Sequence, residues 1–309
     1  MEARRKHSKF NRAIRKTIVF FRRASLPGFE KVAIWDVFTF FFRGLKNGAL
    51  TTRASAVAYN FFLAIFPALL VLFTLIPFIP IENFQEVLLA TIRDFLPINV
   101  YYTVKDTVED IITKRRTDLL SIGFVFALIF ATNGISALIV AFNASYHHVE
   151  SRKWVFQQLI SFLLVWIFFI LIAMSVLMII FSGWVIEFLE LKQILTSKFI
   201  IVILQNGKWP IIVSMIFLAF SSLYYLAPAR RQKFRFISAG SSLATIFIII
   251  TSMGFSAYIN NFGQYNKLYG SIGTLMAFLI WIYINSLVIV IGFELNASIK
   301  NARINKFAS

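Results

Sequence analysis

Cysteine is absent from this chain of 309 residues, and charged residues make up only 15% of it. The lack of cysteine excludes disulfide bonds, thiolate metal sites and cysteine nucleophiles. Soluble globular domains carry about 25% charged residues, so the low charge content together with 59% hydrophobic residues excludes that class. The sequence therefore predicts an all-α, polytopic membrane protein.

Acidic residues are scarce as well, 14 against 31 basic ones, which leaves a net charge of +17. A basic excess is typical of nucleic-acid-binding proteins, but in a membrane protein it also anchors cytoplasmic loops against anionic lipid headgroups. We expect membrane lipids to be the partners, with anionic headgroups at the basic amino-terminal segment, and no specific nucleic acid.

The hydrophobic residues are gathered into stretches of membrane-spanning length. The run from Ser271 to Phe293 carries no charged residue over 23 positions. At about 1.5 Å per residue, a helix of that length crosses a hydrocarbon core of roughly 30 Å. Six spans with interfacial amphipathic helices are predicted, the spans at residues 53–80, 119–143, 159–185, 209–226, 236–258 and 270–297.

The distribution of lysine and arginine predicts the orientation. Loops and termini on one side of the six spans hold 22 of these residues, and those on the other side hold 9. The positive-inside rule then places both termini in the cytoplasm. The predicted organisation is a basic interfacial segment at 1–53, a membrane domain at 54–298 with an extracytoplasmic helical hairpin at 82–118, and a cytoplasmic tail at 299–309.

Two amphipathic helices are predicted in the basic segment. The first has apolar residues at helical spacing among arginines and lysines, a pattern typical of helices on a membrane surface, namely Phe10, Ile14, Ile18 and Phe21. The second runs from Phe29 towards Leu45, with one apolar side formed by Val32, Val37, Phe40 and Phe41. The alternative is a solvated basic tail.

Glu294 is the ionisable residue that lies deep in a hydrophobic stretch, near the cytoplasmic end of the sixth span. A carboxylate there must be paired, wet or protonated, so it is a candidate functional residue. The alternative is a structural ion pair, for which Arg53 is the possible partner. In helical projection Glu294 and Asn296 point about 200° apart, so we expect them to contact different neighbours.

Polar residues within or beside the spans are the second candidate set. With Glu294, they would line a polar path or bind substrate within the bundle, and they are Tyr59, Asn60, Asn133, Asn143, Tyr146, Asn285 and Asn296. Asparagines also serve as ordinary interhelical contacts, each contributing about 0.6 kcal/mol on average. Both interpretations stay open.

Catalytic motifs do not appear. The chain has no glycine-rich phosphate loop, no HExxH and no GxSxG. His147 and His148 are adjacent, so on a helix they point about 100° apart and do not form a zinc site by themselves. We therefore expect no enzyme, no metal and no cofactor.

Motifs at both ends of the hydrophobic region resemble those of the YihY/BrkB family of bacterial inner-membrane proteins, formerly named ribonuclease BN. The opening motif is carried by Arg53, Ala54, Ala58, Tyr59, Phe66 and Pro67. The closing motif is carried by Leu268 to Gly273, Trp281, Tyr283, Gly292, Glu294, Leu295 and Asn296. Weaker matches between them are Asn143, Tyr146, Tyr224, Pro228 and Gly240.

The resemblance spans roughly residues 50 to 298. It implies six spans in the bacterial plasma membrane with both termini cytoplasmic. It also implies a link to serum resistance and to envelope lipid or lipopolysaccharide traffic.

Three functions are compatible with this sequence. The leading hypothesis is a transporter or flippase-like protein for a lipid or envelope component, because polar inner faces and surface-lying helices suit such a substrate. The second is a non-transporting membrane scaffold, in which the polar faces are packing contacts. The third is an RNA-processing ribonuclease, as in the old family name. Independently of the function, a homo-oligomer is compatible with the sequence.

Overall fold

The computed structural model describes residues 25, 32–47, 49–78, 86, 89, 105–106, 108–110, 113–145, 152–192, 198–229, 236–260 and 266–308. The helices among them are α1 (Ile34–Asn47), α2 (Leu50–Leu75), α3 (Thr117–Ser145), α4 (Trp154–Leu191), α5 (Lys198–Leu226), α6 (Ala239–Asn260) and α7 (Asn266–Ala308). A short 3₁₀ turn, Ile76–Phe78, follows α2. The described residues form no strand, and the all-α prediction is confirmed.

Within the described residues, six segments are long and apolar enough to cross a membrane, and each overlaps one predicted span. They are Leu50–Phe78, Thr117–Ser145, Trp154–Gly183, Asn206–Leu226, Ala239–Ile259 and Leu275–Ile304. Helix α2 continues through Pro67 without ending there. Hydrophobic length alone was enough to find these spans, because a lipid-exposed backbone must satisfy its hydrogen bonds within the helix.

The end of α7 extends beyond the predicted span. The segment expected as a tail, residues 299–309, is helical as far as Ala308. Ile299 and Ala302 in this extension are buried, and they form a core with Val32, Val37 and Leu295. The residues around the start of α1 therefore pack against the last part of α7.

Helix α1 corresponds to the second predicted amphipathic helix, and it has two apolar faces instead of one. The predicted side, with Val37, packs against α7 through the core just described. A different side carries Trp35, Phe38 and Phe42, of which Phe38 is 55% and Phe42 is 51% exposed. The Phe38 and Phe42 ring centroids lie 4.5 Å apart. The exposed aromatic face is suited to the headgroup region of a bilayer.

By its contacts the chain divides into two compact units. The larger consists of residues 1–58 and 135–309, and the smaller of residues 59–134. In the larger unit α7 packs against α6 and α1, and α5 packs against α4 and α6. Helices α6 and α7 approach closely at Gly240 and Gly292, where a Cβ on Gly240 would overlap the Gly292 carbonyl oxygen. Small residues allow membrane helices to touch at backbone distance.

In the smaller unit the remainder of α2 packs against the first part of α3. A Cβ on Gly123 would lie 3.1 Å from a Leu70 methyl carbon, and one on Gly134 would lie 2.9 Å from the Phe61 ring. The turn before α3 is held by Asp110, which pairs with Lys114 and Arg116. These contacts lower the pKa of the Asp110 carboxyl, chiefly through its hydrogen bond from Lys114.

Some predictions fall outside the described residues. These include the first amphipathic helix, most of the hairpin at 82–118, Tyr146 and the histidine pair.

Candidate functional site

Glu294 is buried at the junction of α1 and α7. Its exposed fraction is 6%, although it carries a carboxyl group in a helix of membrane-spanning length. Gly44 of α1 lies directly against it, since a Cβ on Gly44 would overlap the carboxyl oxygen and would stand 2.8 Å from the carboxyl carbon. Glycine in a helix interior costs roughly 0.5–1 kcal/mol relative to alanine. Here its missing side chain makes room for the carboxyl group.

Arg53, one turn into α2, supplies a positive charge close enough to interact electrostatically with Glu294. Its guanidinium donates to the Ser145 hydroxyl at 3.2 Å and to the Ala141 carbonyl oxygen at 3.5 Å. The side chain thus bridges the start of α2 and the end of α3. We call Gly44, Arg53, Ser145 and Glu294 the Glu294 cluster. An ion pair between Arg53 and Glu294 stays a prediction.

Three aromatic rings pack together next to Glu294 in the chain. Phe293, the neighbour of Glu294, stacks on Phe142 with centroids 4.1 Å apart and planes 13° apart. Tyr224 packs edge-on against both rings, and its hydroxyl donates to the Ile289 carbonyl oxygen at 2.7 Å. All three side chains are buried.

Asn143 and Asn296 bind the two ends of the segment between α5 and α6. The Ala229 backbone N–H donates to the Asn143 side-chain oxygen at 3.0 Å. The Gly240 N–H, in the first turn of α6, donates to the Asn296 side-chain oxygen at 2.8 Å. Asn296 also donates to the Ser238 hydroxyl at 2.9 Å. The first N–H groups of a helix lack intrahelical partners, so Asn296 caps α6 from another helix.

Asn285 also contacts α6. Its side-chain oxygen accepts from the Thr251 hydroxyl at 2.9 Å, and its amide donates to the Trp281 carbonyl oxygen at 2.8 Å. The α7 face that carries Asn285, Gly292 and Asn296 therefore packs on α6. Glu294 points instead towards α1. Glu294 and Asn296 therefore contact different helices, as the helical projection predicts.

The other predicted site residues fall in the smaller unit or outside the described residues. Tyr59, Asn60 and Asn133 belong to the smaller unit, and Tyr59 and Asn133 are exposed. Tyr146 is outside the described residues. A polar path through all these residues stays a prediction, since the side chains with known contacts bind backbone or hydroxyl groups of neighbouring helices.

Gly44 and Ser145 were missed at the sequence level. The signal for Gly44 was a glycine within an otherwise amphipathic helix, a position that favours close approach of another group. Ser145 carried no distinguishing pattern, because serine is common in packed spans. Among the described residues, no three His, Asp or Glu side chains are grouped so that they could hold a metal ion.

Comparison with known proteins identifies the family of this chain. A family model described as virulence factor BrkB matches residues 41–308. The chain is 30% identical over 246 residues to a ribonuclease-like protein, YfkH, of Bacillus subtilis, covering 80% of this chain and 88% of that protein. It is 26% identical to a UPF0761 membrane protein of Alteromonas mediterranea, covering 88% of this chain and 90% of that one. No solved structure matches.

The matched region contains the six spans, the end of α1 and the whole Glu294 cluster. Its extent agrees with the motifs at Arg53 and Glu294. The chain therefore belongs to the BrkB family and is a multi-pass plasma-membrane protein.

Proposed function

We propose that this protein moves an amphipathic envelope component with an anionic headgroup, such as a phospholipid, between the leaflets of the plasma membrane. The observation that carries the proposal is the buried Glu294 carboxyl group beside Arg53, under a helix whose opposite face is aromatic and exposed. Ionisable groups inside a membrane protein are costly, and they are found where substrates or ions pass.

Arg53 is the binding group in this proposal. Hydrogen bonds to Ser145 and to the Ala141 carbonyl oxygen hold its guanidinium, and therefore its positive charge, within the Glu294 cluster. A phosphate oxygen would compete with Glu294 for this cation, because charge-assisted hydrogen bonds to arginine are strong and directional. Glu294 keeps Arg53 neutralised while no headgroup is bound.

Helix α1 is the entrance. Gly44 covers Glu294, while Trp35, Phe38 and Phe42 face away from the cluster and would lie among lipid headgroups. A movement of α1 in the interface would uncover the cluster towards the lipid. The acyl chains need no polar route, because they remain in hydrocarbon throughout.

The test is a flipping assay with full-length protein in vesicles of phosphatidylethanolamine and phosphatidylglycerol. A fluorescent phosphatidylglycerol in the inner leaflet becomes accessible to a membrane-impermeant quencher only if it is moved. We expect accelerated movement with the wild type and loss of it in Glu294→Gln and Arg53→Gln. The matched control is Thr52→Ala, an exposed neighbour of Arg53 on α2. Equal rates in protein-free vesicles and in all variants would contradict the proposal.

A scaffold without transport activity is the second candidate, and one observation favours it. Asn143, Asn285 and Asn296 all engage backbone or hydroxyl groups of neighbouring helices, as packing residues do. A scaffold predicts that the Asn143→Leu, Asn285→Leu double variant loses stability while the set of lipids retained on purification, measured by native mass spectrometry, is unchanged. A discrete lipid class bound by wild type and lost in this variant supports transport instead.

A further inference from the structure

A groove opens between α6 and α7, at a site separate from the Glu294 cluster. Its volume is about 490 Å³, and its lining consists of Thr251, Gly254, Phe255, Tyr258, Gly273, Met276, Ala277, Ile280, Trp281 and Ile284. Apart from Gly273, these residues lie in the spans Ala239–Ile259 and Leu275–Ile304. The groove therefore lies within the membrane-spanning part of both helices.

The lining is suited to an apolar occupant. It contains no charged side chain, and its Thr251 hydroxyl is already bonded to Asn285. Phe255 stacks on Trp281 with centroids 5.2 Å apart, which forms a flat aromatic wall. The Tyr258 hydroxyl and the Trp281 indole N–H are the other polar side-chain groups of the lining, so a polar ligand would gain few partners for the hydration it loses. An alkyl chain gains dispersion contacts with the rings.

The groove lies at a different level of α6 from the tightest glycine contact with α7. Gly240 and Gly292 bring α6 and α7 to backbone contact. At Gly254, further along α6, an added Cβ would meet no atom within 4 Å. Among the described residues, no side chain fills the space beside Gly254, so it is open to a ligand.

The side chains at the opening of the groove are apolar. Met276 is 54% and Ile280 56% exposed, so the groove opens past large apolar side chains onto the exposed surface of the helices. Methionine is unbranched and adapts to irregular apolar shapes. We propose that this groove binds one acyl chain of a bilayer lipid, held longer than the chains that surround the rest of the protein. The site would exist whether or not the protein transports lipid.

The first test is photolabelling of the full-length protein in bilayer nanodiscs. The lipid is phosphatidylethanolamine and phosphatidylglycerol with a small fraction of phosphatidylethanolamine that carries a diazirine in the middle of one acyl chain. We expect label to concentrate on the peptides that contain Phe255 and Trp281. The reference surface is α4, where Ile172, Leu177 and Ile180 are 63%, 64% and 64% exposed. If the groove peptides and the α4 peptides were labelled in proportion to the exposed fraction of their side chains, the proposal would be overturned.

The second test fills the groove. Gly254→Phe places a ring in the open space, and we expect label in the groove to fall roughly tenfold, equivalent to about 1.4 kcal/mol of lost binding, with α4 labelling unchanged. Gly183→Phe on α4 is the matched control, because a Cβ on Gly183 also meets nothing within 4 Å. We expect Gly254→Leu to give an intermediate loss of groove label. Because leucine is smaller than phenylalanine, this variant still tests the site if Gly254→Phe fails to fold.

Two results contradict an acyl-chain site. One is groove labelling that is the same in wild type, Gly254→Leu and Gly254→Phe. The other is cross-linking of one copy of the chain to another through the groove residues, with no lipid adduct there, which would assign the surface to an interface between copies.

Discussion

Gly44 and Glu294 lie in direct contact, with the α1 backbone against the Glu294 carboxyl group and no room for a Cβ between them. The contact joins a helix at the amino-terminal side of the first span to the last span of the chain. It explains why a glycine stands in α1 and how a carboxyl group near the end of a span is kept from water.

Gly44→Ala should therefore loosen α1 from α7. The added methyl group overlaps the Glu294 carboxyl oxygen, and overpacking of this kind costs about 1–3 kcal/mol. The measurement is thermal unfolding in detergent together with trypsin cleavage after Arg43, which should become faster. Gly183→Ala, at an open position, is the control. Unchanged cleavage in Gly44→Ala would mean that Glu294 moves aside freely.

Arg53 and Glu294 should behave as a coupled pair. We expect Arg53→Gln and Glu294→Gln each to destabilise the protein, because each leaves the other charge in a poorly solvated place. The double variant should lose less than the sum of the two, with a coupling free energy of about 0.5–3 kcal/mol. The four melting curves of this double-mutant cycle measure it. Additive losses would show that the two side chains act independently.

Two glycines of α6 should respond to alanine in opposite directions. Gly240→Ala drives a methyl group into the Gly292 carbonyl oxygen, so it should destabilise by roughly 1–3 kcal/mol. Gly254→Ala meets open space and should stabilise by about 0.5–1 kcal/mol, because alanine is the better helix former. Thermal unfolding of the two variants checks this. A loss in both would contradict the open groove at Gly254.

Asn296→Ala should release the start of α6. It removes the acceptor for the Gly240 N–H and the donor to Ser238, and an orphaned buried group costs about 1–3 kcal/mol. We expect faster amide hydrogen exchange at Gly240 and Ser241, measured by mass spectrometry. Asn133→Ala, an exposed asparagine on α3, is the control and should change neither value. Equal exchange in both would remove the capping role of Asn296.

Asp110 should make stability depend on pH at the acidic end. Lys114 and Arg116 hold the pKa of its carboxyl below the usual value, so its stabilising contribution is present above the unfolded-state pKa of about 3.9. That contribution is lost as the pH falls through the lower folded-state pKa. The melting temperature of Asp110→Asn should lie below that of wild type at neutral pH, and the two should converge in strong acid.

The neighbouring carboxylate provides the comparison for Asp110. Glu109→Gln changes an adjacent acidic residue of the same segment. The melting temperatures of Asp110→Asn and wild type should converge in strong acid. If their difference were the same in strong acid as at neutral pH, the predicted pH dependence of stability through Asp110 would be contradicted.

The sequence by itself determined the spans and their inner faces. Hydrophobic length is a local property, and the helical repeat places Asn285, Gly292 and Asn296 on one side of α7 whatever the neighbours are. The same projection separated Glu294 from Asn296. These predictions needed no knowledge of which helices pack together.

Only the tertiary structure decided what those side chains contact. The repeat of α1 is the same whether it lies free on lipid or docks on α7, so the choice depends on the distant residues Ile299 and Ala302. Asn143 binds the Ala229 N–H just after α5, and Asn296 binds the Gly240 N–H in the first turn of α6. Side-chain patterns do not reveal such backbone partners. Burial of Glu294 depends on Gly44, far away in sequence, because packing contacts are made between segments that no local pattern pairs.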